Sequence, residues 1–131
     1  MCQPHRYAIG DGKGASFSLY PEQRLVVITL GSRVTVNELE EYARFLQQDP
    51  AFQPTFSEIA DMRSIQEVDL QADDMMRMAD EIDPFSYEAK RAFVVKTPSQ
   101  AHAARMHKIL LAHRNFEIFR SMEEAQRWIH A

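Results

Sequence analysis

Residues 55–83, TFSEIADMRSIQEVDLQADDMMRMADEID, decide how the chain folds. The run 56–62 (FSEIADM) is short and apolar with an acidic ending, the pattern of a buried strand whose last residues emerge at the sheet's edge. Residues 63–70 then carry polar groups into 71–82. There Met75, Met78, Ala79 and Ile82 recur at helical spacing, with Asp73, Asp74, Arg77, Asp80 and Glu81 on the opposite side. Ligands and partners meet an open α/β sheet at the carboxyl ends of its strands. This junction of strand, loop and helix is where function is to be sought.

Upstream, residues 15–20 alternate Phe17 and Leu19 with Ser16 and Ser18, Pro21-Glu22-Gln23 turns, and 24–30 is rich in β-branched residues. That predicts a hairpin whose first strand is an exposed edge, open to a second copy of the chain. Gly10, Gly12 and Gly14 do not make a phosphate loop, because Lys13 is followed by glycine and a strand rather than Ser or Thr and a helix. Residues 1–14 read as a flexible lead-in to a single domain over 15–131. Thr35 and Glu38 form a capping box stapled by Val34 and Leu39, so a helix starts at Val36, and Asp49-Pro50 ends it.

Downstream, 91–96 (RAFVVK) fits a strand buried on both faces, Pro98 sits near the first turn of a third helix running to Arg114, and 116–119 is a last short strand. Ser121 and Glu124 cap a closing helix with Met122, Ala125, Trp128 and Ile129 as its apolar stripe. The order is β-β-α-β-α-β-α-β-α: an α/β fold with a mixed, mostly parallel sheet of about five strands and about four helices.

At 131 residues, 45% apolar and 26% charged, the chain has the composition of a soluble globular domain that buries about two thirds of its unfolded surface. The longest apolar run, 25–30, is too short to cross a bilayer, and the first residues lack the apolar core of a secretory signal, so a cytoplasmic protein is expected. The lone Cys2 allows neither an internal disulfide nor a thiolate zinc site. His102 and His113 fall on one face of the third helix with Met106, Ile109 and Leu110, but eleven residues separate them, about 16 Å, too far to share a metal ion. No metal or cofactor is expected.

Net charge is only −4, yet residues 58–83 carry nine acids against Arg63 and Arg77, while 85–120 carry seven bases against two acids. The split favours a basic protein partner for the first segment and disfavours nucleic acid there, although both segments also read as solvated helix faces.

The hairpin, the helix, a strand ending in Ala60-Asp61-Met62-Arg63-Ser64-Ile65, and Val68-Asp69-Leu70-Gln71-Ala72 opening a short helix resemble the STAS domain family, in particular its bacterial SpoIIAA-like members. The resemblance implies a helix-covered sheet and a role in protein–protein signalling, switched in the best-known members by phosphorylation of a serine right after an aspartate. Here Asp69 matches the aspartate, but Leu70 stands in the serine's place and Gln71-Ala72 replaces the small residues that follow. The usual switch is absent, and Ser64 is the nearest hydroxyl that could substitute.

Three readings follow. The first is a non-enzymatic interaction module whose surface comprises Asp61, Arg63, Ser64, Asp69, Leu70, Gln71, Asp73 and Asp74, facing a basic protein. The second is a pocket lined by Met75 and Met78 that holds a small apolar ligand, as in lipid-carrier folds that some SpoIIAA-like domains resemble. The third is a hydrolase using Ser64 or the carboxylates, with no histidine near Ser64 in sequence to support it.

Overall fold

The computed structural model describes residues 3–10, 14–111 and 115–131. Cys2, the middle of the glycine-rich stretch, His113 and Arg114 lie outside the described residues. Among the described residues eight strands form: β1 (His5–Ala8), β2 (Ser16–Tyr20), β3 (Leu25–Thr29), β4 (Arg33–Thr35), β5 (Ser57–Asp61), β6 (Glu67–Asp69), β7 (Arg91–Val94) and β8 (Phe116–Phe119). The helices are α1 (Val36–Gln48), α2 (Ala72–Arg77), which runs on as a π-turn over Met78–Ile82, α3 (Pro98–Leu111) and α4 (Met122–Ile129).

Six strands make the main sheet, in the order β1-β2-β3-β5-β7-β8. The β1-β2-β3 end is antiparallel, and β3, β5, β7 and β8 are parallel. The fold class is the expected mixed, mostly parallel α/β sheet with β5 in its interior. It has six strands rather than about five, because residues 5–8 are not a flexible lead-in. They pair with β2 and cover the edge expected to be open to a second copy. The sequence hides this strand because four residues, HRYA, show no apolar periodicity; side chains hold it instead. Tyr7 stacks on Phe17 and Phe45, and the Tyr7 hydroxyl donates to Asp49 Oδ2 at 2.6 Å. His5 Nδ1 lies 2.7 Å from the same oxygen.

A second small sheet, also unforeseen, pairs β4 with β6 in parallel, Val34 opposite Val68. The helix ends follow the expected caps: the Thr35 hydroxyl accepts from the Glu38 amide at 3.3 Å, and the Ser121 hydroxyl from the Glu124 amide at 3.2 Å.

Strand alternation sends side chains to two faces. Leu25, Ile59, Ala92 and Val94 meet Ala125 and Ile129 of α4. Val26, Ile28, Glu58, Ala60, Arg91 and Phe93 face the other way, where α1, α2 and α3 lie. On α3 the buried residues are Gln100, Ala101, Ala104 and Leu111, a different stripe from the expected one: Met106 and Ile109 are 39% and 70% exposed, and His102 is exposed. Two stripes compete in this sequence, and the one with alanines wins the sheet side, where small side chains let the helix approach closely. No helix among the described residues is long and apolar enough to cross a membrane.

Candidate functional site

A partly open cavity of about 110 Å³ lies on the three-helix face. Its floor is Ile28, Ala60 and Phe93 of the sheet; Leu39 and Tyr42 come from α1, Ala103 and His107 from α3, and Met75, Met78 and Ile82 from α2 and its π-turn. Val68 and Leu70 close it from the β6 side. The two methionines singled out from sequence therefore line this cavity. The π-turn is made by the Asp83 amide donating to the Met78 carbonyl at 2.9 Å, and Asp83 and Pro84 beyond it also line the wall.

One part of this apolar wall is ionic. Arg91 and Glu58, opposite each other in the β5–β7 register, are 4% and 2% exposed. The Arg91 guanidinium gives Nε and Nη2 to Glu58 Oε1 at 2.9 and 2.8 Å, and Nη1 to Asp83 Oδ2 at 2.5 Å. Its plane lies over the Phe85 ring, 4.6 Å from the centroid. The Tyr42 hydroxyl donates to Glu58 Oε2 at 2.6 Å. Burial works against the charged guanidinium, but Glu58 and Asp83 outweigh it and raise its proton affinity. Burial, reinforced by Glu58, pushes the Tyr42 phenol well above its ordinary value, so it stays protonated. This cluster was not picked out from sequence. Its signal was there: inside the apolar strand run 56–62 sits the acid Glu58 as well as the terminal Asp61, and the run 91–96 is bounded by the bases Arg91 and Lys96.

The residues expected to form an interaction surface are distributed differently. Asp61 takes a bidentate pair from Arg63, both contacts at 2.9 Å, and accepts the Arg63 amide at 3.1 Å. Burial would raise the Asp61 carboxyl, but these Arg63 contacts outweigh it and hold it below the usual carboxylate range. Ser64 is exposed in the turn that follows. Asp69 pairs with Arg33, as does Glu67 at 3.9 Å. Leu70 is half-buried against the core, and the Gln71 amide donates to Asp74 Oδ2 at 3.0 Å. Asp73 is exposed. Of the nine acids in 58–83, Glu58, Asp61, Glu67, Asp69 and Asp83 are thus paired to arginines, so the acidic surface is much smaller than the sequence count suggests.

The loop itself is built in. Gln100, buried at the start of α3, donates its amide to the Arg63 and Ile65 carbonyls at 3.2 and 2.9 Å and accepts from the Lys96 and Thr97 amides at 2.7 and 3.2 Å. Its own amide donates to the Thr97 hydroxyl at 3.2 Å, so a capping box doubles as the clamp on the loop. Among the described residues no three His, Cys, Asp or Glu side chains are grouped to hold a metal ion.

No protein-family model and no curated protein matches the chain. A crystal structure of an uncharacterized protein from the DUF3478 family with a SpoIIAA-like fold, from Shewanella loihica PV-4, is similar over 98% of this chain and 97% of that one. The TM-score is 0.58 and the sequence identity 14%. The likeness is one of architecture, and on it this chain has a SpoIIAA-like fold.

Proposed function

We propose that the protein is a non-enzymatic binding module of SpoIIAA-like fold that holds a small, largely apolar ligand in the cavity beneath α2. The observation that carries this reading is the cavity itself. Protein interiors pack with few voids larger than a water, and a water needs only about 10–15 Å³ of such space. A cavity of about 110 Å³ approaches the roughly 150 Å³ that admits benzene in an engineered apolar core. Its apolar lining with a few convergent polar groups is the general composition of a ligand site. Met75 and Met78 in its lining suit an adaptable wall.

Native mass spectrometry of protein purified from its own cells tests this. We expect a co-purifying small molecule that is lost in Ala103→Leu, whose added carbons enter the cavity. Bare protein, together with no thermal shift from any small apolar probe, contradicts the reading.

A second reading keeps a surface for a protein partner. The outer side of α2 sets Met76, 52% exposed, between the exposed Asp73 and Asp80. An apolar contact rimmed by acids suits a basic partner. Asp73→Lys with Asp80→Lys is the informative reversal, since Asp74 holds the start of α2. Capture of a basic partner by this double variant at wild-type strength counts against the surface. Leu70, half-buried in the position where the resemblance expects a serine, leaves such a module without that phosphorylation switch.

A further inference from the structure

We propose that the outer faces of α2 and α3 form an interface between two copies of this chain, closed by a two-fold axis that lays each α2 on the α3 of the other copy. This names the partner of the acid-rimmed α2 surface and rests on the protein-partner reading. Five large apolar side chains are exposed among the described residues, and four of them, Val68, Met76, Met106 and Ile109, lie on β6, α2 and α3. Apolar residues gathered on neighbouring elements mark a contact surface rather than the single scattered ones that any protein shows. The two helices are neighbours: α2 and its π-turn pack beside α3, and all three line the cavity. Met75 and Met78 face that cavity with Ala103 and His107, which leaves Met76 on one helix and Met106 and Ile109 on the other turned outward.

The charges around these side chains have opposite signs on the two helices. Asp73, Asp80 and Glu81 are exposed on α2 and its π-turn, where Arg77 is paired with Glu40, whereas α3 holds Arg105 and Lys108 and no acid. Asp73, Asp80, Arg105 and Lys108 enter no ion pair among the described residues. An anionic membrane suits α3 alone: it would meet the α2 acids alongside, on a chain of net charge −4. A second copy serves both helices at once. Under a two-fold axis a residue that meets a given position on the other copy is itself met by it, so the acid-on-base contact forms twice and no patch is left to recruit a third chain. Pairing through β2 is closed to a second copy, because β1 already covers that strand.

Sedimentation velocity of the full chain over a concentration series tests this. We expect a reversible equilibrium that stops at two copies and weakens with added salt. Asp73→Lys with Asp80→Lys, and separately Arg105→Glu with Lys108→Glu, should each weaken the dimer by on the order of tenfold or more, because like charges then face each other twice. Mixed together, the two double variants regain opposite signs at both contacts and should form a heterodimer close to wild-type strength, a result that misfolded variants cannot give. Dimers of unchanged strength in both double variants, no heterodimer on mixing, or growth beyond two copies each overturns the interface. So does a chain that stays monomeric at every concentration, including one whose α3 binds phosphatidylglycerol vesicles instead. Capture of a basic protein by that monomer, lost in Asp73→Lys with Asp80→Lys, leaves the protein-partner reading standing; no capture removes it as well.

Discussion

The two faces of the sheet meet their helices under different rules. On one, α4 alone lays Ala125 and Ile129 over Leu25, Ile59, Ala92 and Val94, and every one of these is buried and apolar. On the other, three helices stand over Ala60 and Phe93 yet leave a cavity, and beside it lie a buried tyrosine, carboxylate and arginine, Tyr42, Glu58 and Arg91, with the half-buried Asp83. The same strands supply both faces by alternation, so the difference lies in what each alternate residue is asked to do. Buried ion clusters add little stability over an apolar set of the same volume. A face built only for stability would resemble the α4 side. The presence of both a cluster and a cavity on one face is what supports reading that face as the functional one.

The sharpest way to break this comparison is Arg91→Met. It leaves the buried Glu58 and the half-buried Asp83 without their shared cation, and we expect a loss of about 3–5 kcal/mol in urea unfolding. Melting at the wild-type midpoint would mean that the cluster is not the charged, desolvated unit described.

The packing contrast is tested by the same change on each face. Ala125→Leu, at a fully buried position under α4, should cost about 1–3 kcal/mol. Ala103→Leu, on the cavity wall, should stay within about 1 kcal/mol of wild type. Equal costs at the two sites would erase the distinction.

Much of this architecture was legible in the sequence. β3, β5, β7 and β8 announced themselves by apolar runs, and α1 and α4 by capping boxes at Thr35 and Ser121. What escaped was set by contacts between segments far apart. β1, β4 and β6 are three or four residues long and are held by Asp49, Arg33 and each other rather than by their own pattern. The acids of 58–83 looked like one surface because their arginine partners include Arg33 and Arg91, outside the segment. The stripe 102/106/109 on α3 looked buried because the competing alanine stripe carries less apolar mass. Within the site, Met75 and Met78 were found from helical spacing, whereas Tyr42, Glu58 and Arg91 come together only through the β5–β7 register and the placement of α1.

Two smaller effects sharpen the border of the cavity face. Asp49 anchors β1 at the end of α1. Burial pushes its carboxyl up, but hydrogen bonds from Tyr7, Ala51 and His5 outweigh this and set it below the ordinary 3.8. The same contact, with burial, raises the Tyr7 phenol to about 12. A depressed carboxylate contributes stability that is present above 3.8 and lost as pH falls through its own lower value. Amide exchange across His5–Ala8 should therefore quicken in that acid window more than exchange in β7, and a uniform response would remove Asp49 as the anchor. Arg63→Ala deletes an exposed pair and should cost no more than about 1 kcal/mol, a fraction of the Arg91 effect. A loss as large as that of Arg91→Met would show that exposure does not separate the two arginines.

The most direct measurement is methyl NMR of methionine-labelled protein under xenon, an apolar probe with no head group. Met75 and Met78 line the cavity, and Met122 packs on the α4 face as an internal control. The account expects the first two signals to shift with xenon pressure while Met122 stays still. Equal shifts at all three, or none at Met75 and Met78, would contradict it.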